Sequence, residues 1–278
     1  MKLFYPHRTF QKEVAPQPGA KKSPLQLSHP KRLAGLLSLM LLLIPAFSAA
    51  ESADSIVQAA FDYWRGDASI ARLTMTIHRP TWERTVSIDA WTKGESDSLF
   101  VIKAPAKDKG NGTLKKGRGM WIYNPKVNKV IKLPPSMMSQ SWQGSDFSNN
   151  DLAKTDSLIH DYTHTLEKSA TVNGHTVHTI KSMPKPDAAV IWGMITMEIR
   201  DDHILLNETF FDEDLEPIKE MTASDIRPVD GKLFPMTWKM AKTETPENYT
   251  LMVYKSLTFT TELSDNTFTR ANLVRSGR

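Results

Sequence analysis

The feature that most constrains this chain is an apolar period of two that recurs along most of its length. Leu73, Met75 and Ile77 alternate with Arg72, Thr74 and Thr76, and Val86, Ile88 and Ala90 alternate with Ser87 and Asp89. Successive side chains of a strand point to opposite faces, so this is the pattern of two half-buried strands, joined at Arg79-Pro80-Thr81. Further strands are predicted at Leu99 to Ala104, Met120 to Tyr123, Lys129 to Leu133, Thr163 to Ala170, Thr176 to Met183, Ile191 to Ile199, Leu205 to Phe211, Ile218 to Asp225, Leu233 to Ala241 and Leu251 to Thr260. The dipeptides Asn124-Pro125, Asn173-Gly174 and Asp230-Gly231 supply turn chemistry between them. An antiparallel sheet of about ten or eleven strands does not stay flat; it curls into a barrel or partial barrel.

Two segments depart from that period. Asp54 to Arg65 places Val57, Ala60, Phe61 and Trp64 on one helical stripe, with Gly66 just past the end. Between Pro134 and about Leu158 a stretch rich in Ser, Asn and Asp also holds Met137, Met138, Trp142 and Phe147. It is too apolar for a solvent linker and is predicted to fold over something, with a short helix from Asn150 to Leu158. The expected fold is therefore mainly antiparallel β with a few helices: an incomplete, half-open β-barrel with a helical lid or plug, the lid running from Ser136 to Asp151. A transmembrane barrel is the competing geometry. Charges on the outward faces (Arg72, Lys132, Lys181, Lys239) and the absence of aromatic girdles argue against it.

Residues 1–50 read as a secretory signal. A basic start ending in Lys31 and Arg32 precedes an apolar run from Leu33 to Phe47 and the small residues Ser48, Ala49 and Ala50, so cleavage is expected near Ala50. The run is shorter than the roughly twenty residues a membrane-spanning helix needs. The expected mature protein, residues 51–278, is one β domain exported to the periplasm. Removing the leader changes the charge argument, because 28 basic and 30 acidic residues remain. A nucleic-acid partner is not expected of such a balance. The chain contains no cysteine, which excludes disulfides, thiolate metal sites and a lipidated cysteine.

Catalytic and metal-binding patterns are weak. His160 and His164 are four apart but lack an accompanying Glu or a third ligand, and His175 and His178 point to opposite faces of a strand. Asp212, Glu213, Asp214 and Glu216 resemble a calcium loop only superficially, since Pro217 stands where the turn glycine belongs. Lys107, Lys109, Lys115, Lys116 and Arg118 crowd Gly110-Asn111-Gly112, either as a solvated hairpin tip or as a contact for lipid phosphates or an acidic partner. No nucleophile elbow, phosphate loop or dinucleotide fingerprint is present. No catalytic residue, metal or cofactor is expected.

Methionine stands out, with eleven beyond the leader. Met75, Met197, and Met236, Trp238 and Met240 in alternation sit on apolar strand faces. Flexible thioethers repack around guests of varied shape, although ordinary core filling accounts for the same residues. A curled sheet with few helices to cover its concave face favours an oily cavity.

The order and wording of several segments carry a resemblance: Ile102-Lys103-Ala104-Pro105 running into Lys109-Gly110-Asn111-Gly112-Thr113; Met120-Trp121-Ile122-Tyr123-Asn124-Pro125; Lys132-Leu133-Pro134-Pro135; and Gly144-Ser145-Asp146-Phe147-Ser148-Asn149-Asn150-Asp151-Leu152. Over nearly all of residues 54–275 the chain resembles the LolA-like outer-membrane lipoprotein-sorting proteins. The resemblance implies an incomplete β-barrel closed by helices and an apolar interior that holds the acyl chains of a lipoprotein or lipid crossing the periplasm. It implies feeding by an inner-membrane transporter of the ABC or RND type; transient contact with a membrane and a monomer are further expectations. Leu73, Met75, Ile77, Val86, Ile88, Met137, Met138, Trp142, Met197, Met236, Trp238 and Met240 are the expected lipid-binding residues. A non-carrying accessory subunit of such a transporter is the alternative, and an enzyme acting on envelope lipids is a third reading.

Overall fold

The structure, a computed structural model, describes residues 51–153 and 156–278. The proposed signal peptide lies outside the described residues. The chain opens with helix α1 (Ala53–Arg65), capped by the Ser52 hydroxyl, which accepts from the Ser55 amide, and ended by Gly66 at φ 59°. A Cβ on Gly66 would lie 2.8 Å from the Phe259 ring, so both backbone angle and space call for glycine there.

Six strands follow: β1 (Ala68–Arg79), β2 (Trp82–Lys93), β3 (Asp97–Ala104), β4 (Gly112–Lys116), β5 (Gly119–Asn124) and β6 (Lys129–Lys132). A segment with short helices α2 (Asn149–Ala153) and α3 (Ser157–His160) connects them to seven more: β7 (Tyr162–Val172), β8 (His175–Pro184), β9 (Met194–Arg200), β10 (Leu205–Phe211), β11 (Pro217–Val229), β12 (Lys232–Lys242) and β13 (Tyr249–Thr260). Helix α4 (Arg270–Ser276) closes the chain.

All thirteen strands form one antiparallel sheet in the order β6-β5-β4-β3-β2-β1-β13-β12-β11-β10-β9-β8-β7. The chain thus meanders outward from β1 to the β6 edge, crosses to the β7 edge, and meanders back until β13 pairs with β1. β6 and β7 are not paired, so the barrel is open, and the segment between them must span the gap. The half-open, mainly antiparallel architecture expected from the sequence is what is found. The thirteen strands exceed the ten or eleven estimated for the sheet; the twelve segments named from the period of two each match a strand, and β4 is the one that reading missed.

The reason lies on both faces of β4. Leu114 packs with Leu99, Val101 and Tyr123 against Phe268 and Leu273 of the C-terminal segment. Thr113 and Lys115, which alternate with it, are buried as well. A strand covered on both sides loses the alternation that marks a half-exposed one. Gly112 lets α4 approach, since a Cβ there would sit 2.6 Å from a Leu273 methyl. Lys115, one of the cluster read as a hairpin tip or lipid-phosphate contact, is only 2% exposed. Its ammonium donates to the Ser96 carbonyl at 2.9 Å and pairs with Asp156 at 3.4 Å. Burial lowers its pKa, and the Asp156 charge opposes that shift.

Two apolar clusters occupy the concave side. One joins Ile56, Val57 and Ala60 of α1 to Tyr162, Ile180, Ile195, Met197, Ile199, Phe210 and Met240. The other joins Ala71, Leu73, Met75, Ile77, Val86, Ile88, Ala90 and Ile102 to Met120, Leu133 and Trp142.

Candidate functional site

Between α1, the connecting segment and the concave face lies a cavity of about 240 Å³. Its walls come from both halves of the meander: Ala71 and Leu73 of β1, Ala90 of β2, Phe100 of β3, Met197 of β9, Phe210 of β10, Met221 of β11, Trp238 and Met240 of β12, and Met252 and Tyr254 of β13. Residues from opposite ends of the strand order can face one space only if the sheet is strongly bent. Val57, Ala60, Phe61 and Trp64 of α1 form one cover, and Phe147, Leu152 and Leu158 of the connecting segment the other. The helical stripe read from the sequence is therefore the surface that roofs the cavity.

The expected lipid-binding residues divide into two groups. Leu73, Met197, Trp238 and Met240 line the cavity. Met75, Ile77, Val86 and Ile88 occupy the same strand faces farther along, buried in the apolar cluster that also includes Trp142, with Met137 and Met138 packed against it. Met75 and Ile88 are completely buried. Met236 is buried too, and does not line the cavity. The face was legible from the alternation; which stretch of it stays uncovered depends on where the connecting segment lands. Phe100, Met221, Met252 and the α1 stripe line the cavity without having been expected there.

The connecting segment is pinned at several points. Trp142 Nε1 donates to Thr113 Oγ1 at 2.9 Å, and its ring meets Phe100 edge-on at 5.6 Å. Arg84 donates to the Gln143 carbonyl at 2.9 Å. Asp146 accepts two hydrogen bonds from Arg79 and one from the Thr250 hydroxyl. Asp151 pairs with Lys219, whose ammonium also lies 4.8 Å from the Trp192 ring centre and 5.0 Å from that of Phe210.

Few charged groups reach the cavity. Arg65 donates to the Gly94 and Asp97 carbonyls at 2.8 and 3.1 Å, tying the end of α1 to the β2–β3 turn. Burial lowers its pKa to about 10, so it stays charged. Glu208 lines the cavity and is 8% exposed. Burial, reinforced by the Asp151 charge and opposed by Lys219, raises its pKa to about 8, so it is largely a neutral acid at pH 7. Burial also pushes the Tyr254 phenol up to about 12.

His160 and His164 are not brought together. His160 lies on α3 with its Nε2 2.9 Å from Glu95, whereas His164 lies on β7 with its Nδ1 2.7 Å from Ser182. His175 meets Asp201 at 2.8 Å on the surface, and with Asp202, which Arg200 engages at 2.5 Å, it forms a group whose ligand atoms all lie within 4.8 Å of one another, a spacing that could hold a metal ion. Asp212 caps a tight β10–β11 turn, its Oδ1 accepting from the Asp214 and Glu216 amides.

Fold and cavity together define an open β-barrel with a pinned lid over an oily interior. A protein-family model described as "Uncharacterized protein" matches residues 94–275, and the chain belongs to that family. Solved neighbours carry the LolA-like resemblance at the level of fold. A DUF1329 family protein from Desulfovibrio piger superposes with a TM-score of 0.71 at 22% identity, covering 80% of this chain and 99% of its own. A structure described as an outer membrane lipoprotein-sorting protein domain from Vibrio parahaemolyticus gives 0.70 at 21%, covering 80% and 98%. A LolA superfamily protein from Nitrosomonas europaea gives 0.67 at 19%, covering 80% and 99%. No curated protein sequence matches the chain.

Proposed function

We propose that this protein is a periplasmic carrier or receptor that holds the acyl chains of a lipoprotein or lipid in its cavity for transfer towards the outer membrane. The observation that carries the reading is the unfilled apolar space between α1, the lid and both halves of a bent sheet. Leu73, Met197, Trp238 and Met240, with Met221 and Met252, are the proposed contacts for the chain. Met75, Ile77, Val86, Ile88, Met137, Met138 and Trp142 are assigned to seating the lid, and Met236 to the barrel wall.

Each buried methylene contributes about 0.8 kcal/mol, so an acyl chain binds firmly without any reacting group. The cavity is somewhat smaller than the roughly 300–1,000 Å³ of typical ligand sites. A long chain therefore enters with displacement of α1 or the lid, and the same displacement is the route of release. The leader at residues 1–50 directs the chain to the periplasm, and an inner-membrane ABC or RND-type transporter is the proposed donor of cargo.

Native mass spectrometry of gently purified protein tests the proposal. The expected spectrum contains adducts of acyl-lipid mass that disappear on competition with a fluorescent fatty probe. Unliganded protein that also fails to take up the probe would reject the carrier reading and favour a non-carrying accessory subunit of the transporter.

A further inference from the structure

The oily cavity contains two polar side chains that the protein leaves without partners. Glu208 faces it from the middle of β10, directly between Met197 of β9 and Met221 of β11 in the strand register. Among the described residues its carboxyl has no hydrogen-bond partner. Trp238 faces the cavity from β12, next to Met252 of β13 in register, and is 5% exposed. Its indole Nε1 is buried and also without a partner. Met221 pairs in register with Met240, two residues from Trp238 on the same face. Glu208 and Trp238 therefore stand on one patch of the concave wall among methionines.

Core packing does not explain these groups. A buried donor left unsatisfied, as the Trp238 indole is, is destabilising, and an apolar side chain at either position would fill the same wall. Indole presents a donor only. Glu208, whose burial favours the neutral acid, presents a hydroxyl donor together with a carbonyl acceptor. A purely hydrocarbon guest would leave both donors unsatisfied; a guest with an uncharged acceptor would satisfy them.

We propose that Glu208 and Trp238 form a polar anchoring subsite for the carbonyl of an ester- or amide-linked acyl chain, selecting acyl lipids over plain hydrocarbon. The inference rests on the carrier reading and adds to it a fixed depth for the guest: the carbonyl stops at β10 and β12 while the methylenes extend along the thioethers. At the lid end of the cavity, the Oδ1 atoms of Asn150 and Asp151 are buried without partners. They offer acceptors to the N–H of an amide-linked chain.

Displacement of a fluorescent fatty probe from the full mature chain by three ligands of equal chain length, an alkane, its methyl ester and its N-methyl amide, tests the assignment. Glu208→Leu and Trp238→Phe are each expected to weaken ester and amide binding by about tenfold or somewhat less, the worth of one hydrogen bond, and to leave alkane binding unchanged or tighter. Glu208→Gln, which keeps a donor and an acceptor, is expected to retain ester and amide binding. Equal effects on all three ligands, or no effect on any, would overturn the subsite while leaving the carrier reading intact. Failure of all three to displace the probe from the wild-type chain would overturn both. Circular dichroism melts of each variant separate lost binding from lost folding.

Discussion

Arg79 on β1 holds Asp146 in the lid by a two-point ion pair, Nη1 to Oδ2 at 3.1 Å and Nη2 to Oδ1 at 2.9 Å. The Asp146 side chain is only 3% exposed, and the buried Thr250 hydroxyl donates to the same carboxylate at 2.7 Å. Removing one partner of such a pair leaves the other charge buried and uncompensated, which costs about 3 kcal/mol. Arg79→Ala is accordingly expected to lower stability by about that amount and to speed exchange of bound lipid. Urea titrations of Arg79→Ala, Asp146→Ala and the double variant, with stopped-flow probe release, check this. Additive single-variant effects would mean the two residues do not act as a unit.

Glu208 gives stability a pH dependence of known sign. Its pKa rises from 4.5 to about 8 in the folded chain. Below the unfolded value the acid is neutral in both states and folding carries no penalty. Between that value and about 8 the unfolded state releases the proton while the folded state keeps it, so stability falls by at most about 1.4 kcal/mol per pH unit. Asp151 and Lys219 act on the same carboxyl, and Tyr162 lies within its electrostatic reach. Glu208→Gln is expected to remove this decline. Urea midpoints of wild type and variant across the interval provide the comparison, and parallel curves would contradict it.

Much of this fold could be read in advance, and the misses share a cause. The β1 and β2 faces were legible because each alternates against one exposed side. β4 was not, because α4 and the lid bury Leu114 on one face and Thr113 and Lys115 on the other. α4 itself carries a single buried anchor, Leu273, too little for a helical stripe to show. The Met75 and Ile77 end of β1 has the same pattern as the Leu73 end. The connecting segment, through Trp142, Met137 and Met138, joins the cluster that buries Met75 and Ile77, and where it lies is set by residues distant in sequence. Glu208 had no local signal, since a glutamate in an alternating strand ordinarily reads as facing solvent.

The C-terminal segment should matter for stability and not for binding. Leu273 is completely buried against Leu99, Leu114 and Tyr123, on the side of β3–β5 away from the cavity. Leu273→Ala is expected to cost about 2–4 kcal/mol and to leave probe affinity unchanged once the protein is folded. Thermal melts beside probe titrations test both halves. A changed affinity at full folding would place α4 in the binding machinery.

Ala71 and Ala90 face each other across β1 and β2, and both line the cavity. Their small side chains leave space, whereas the longer residues on the same faces, Met75 and Ile88, are completely buried. Ala90→Leu is therefore a substitution into empty volume. It should keep stability or raise it by about 1 kcal/mol, as cavity filling does elsewhere, while reducing the lipid adducts seen by native mass spectrometry. Met75→Ala reverses both signs of the comparison: it hollows a packed site, costs about 2–4 kcal/mol, and leaves the adducts in place in the fraction that folds. If Ala90→Leu destabilised the chain as much as Met75→Ala does, the space beside Ala90 would behave as closed core, and an acyl chain would have no room to lie there.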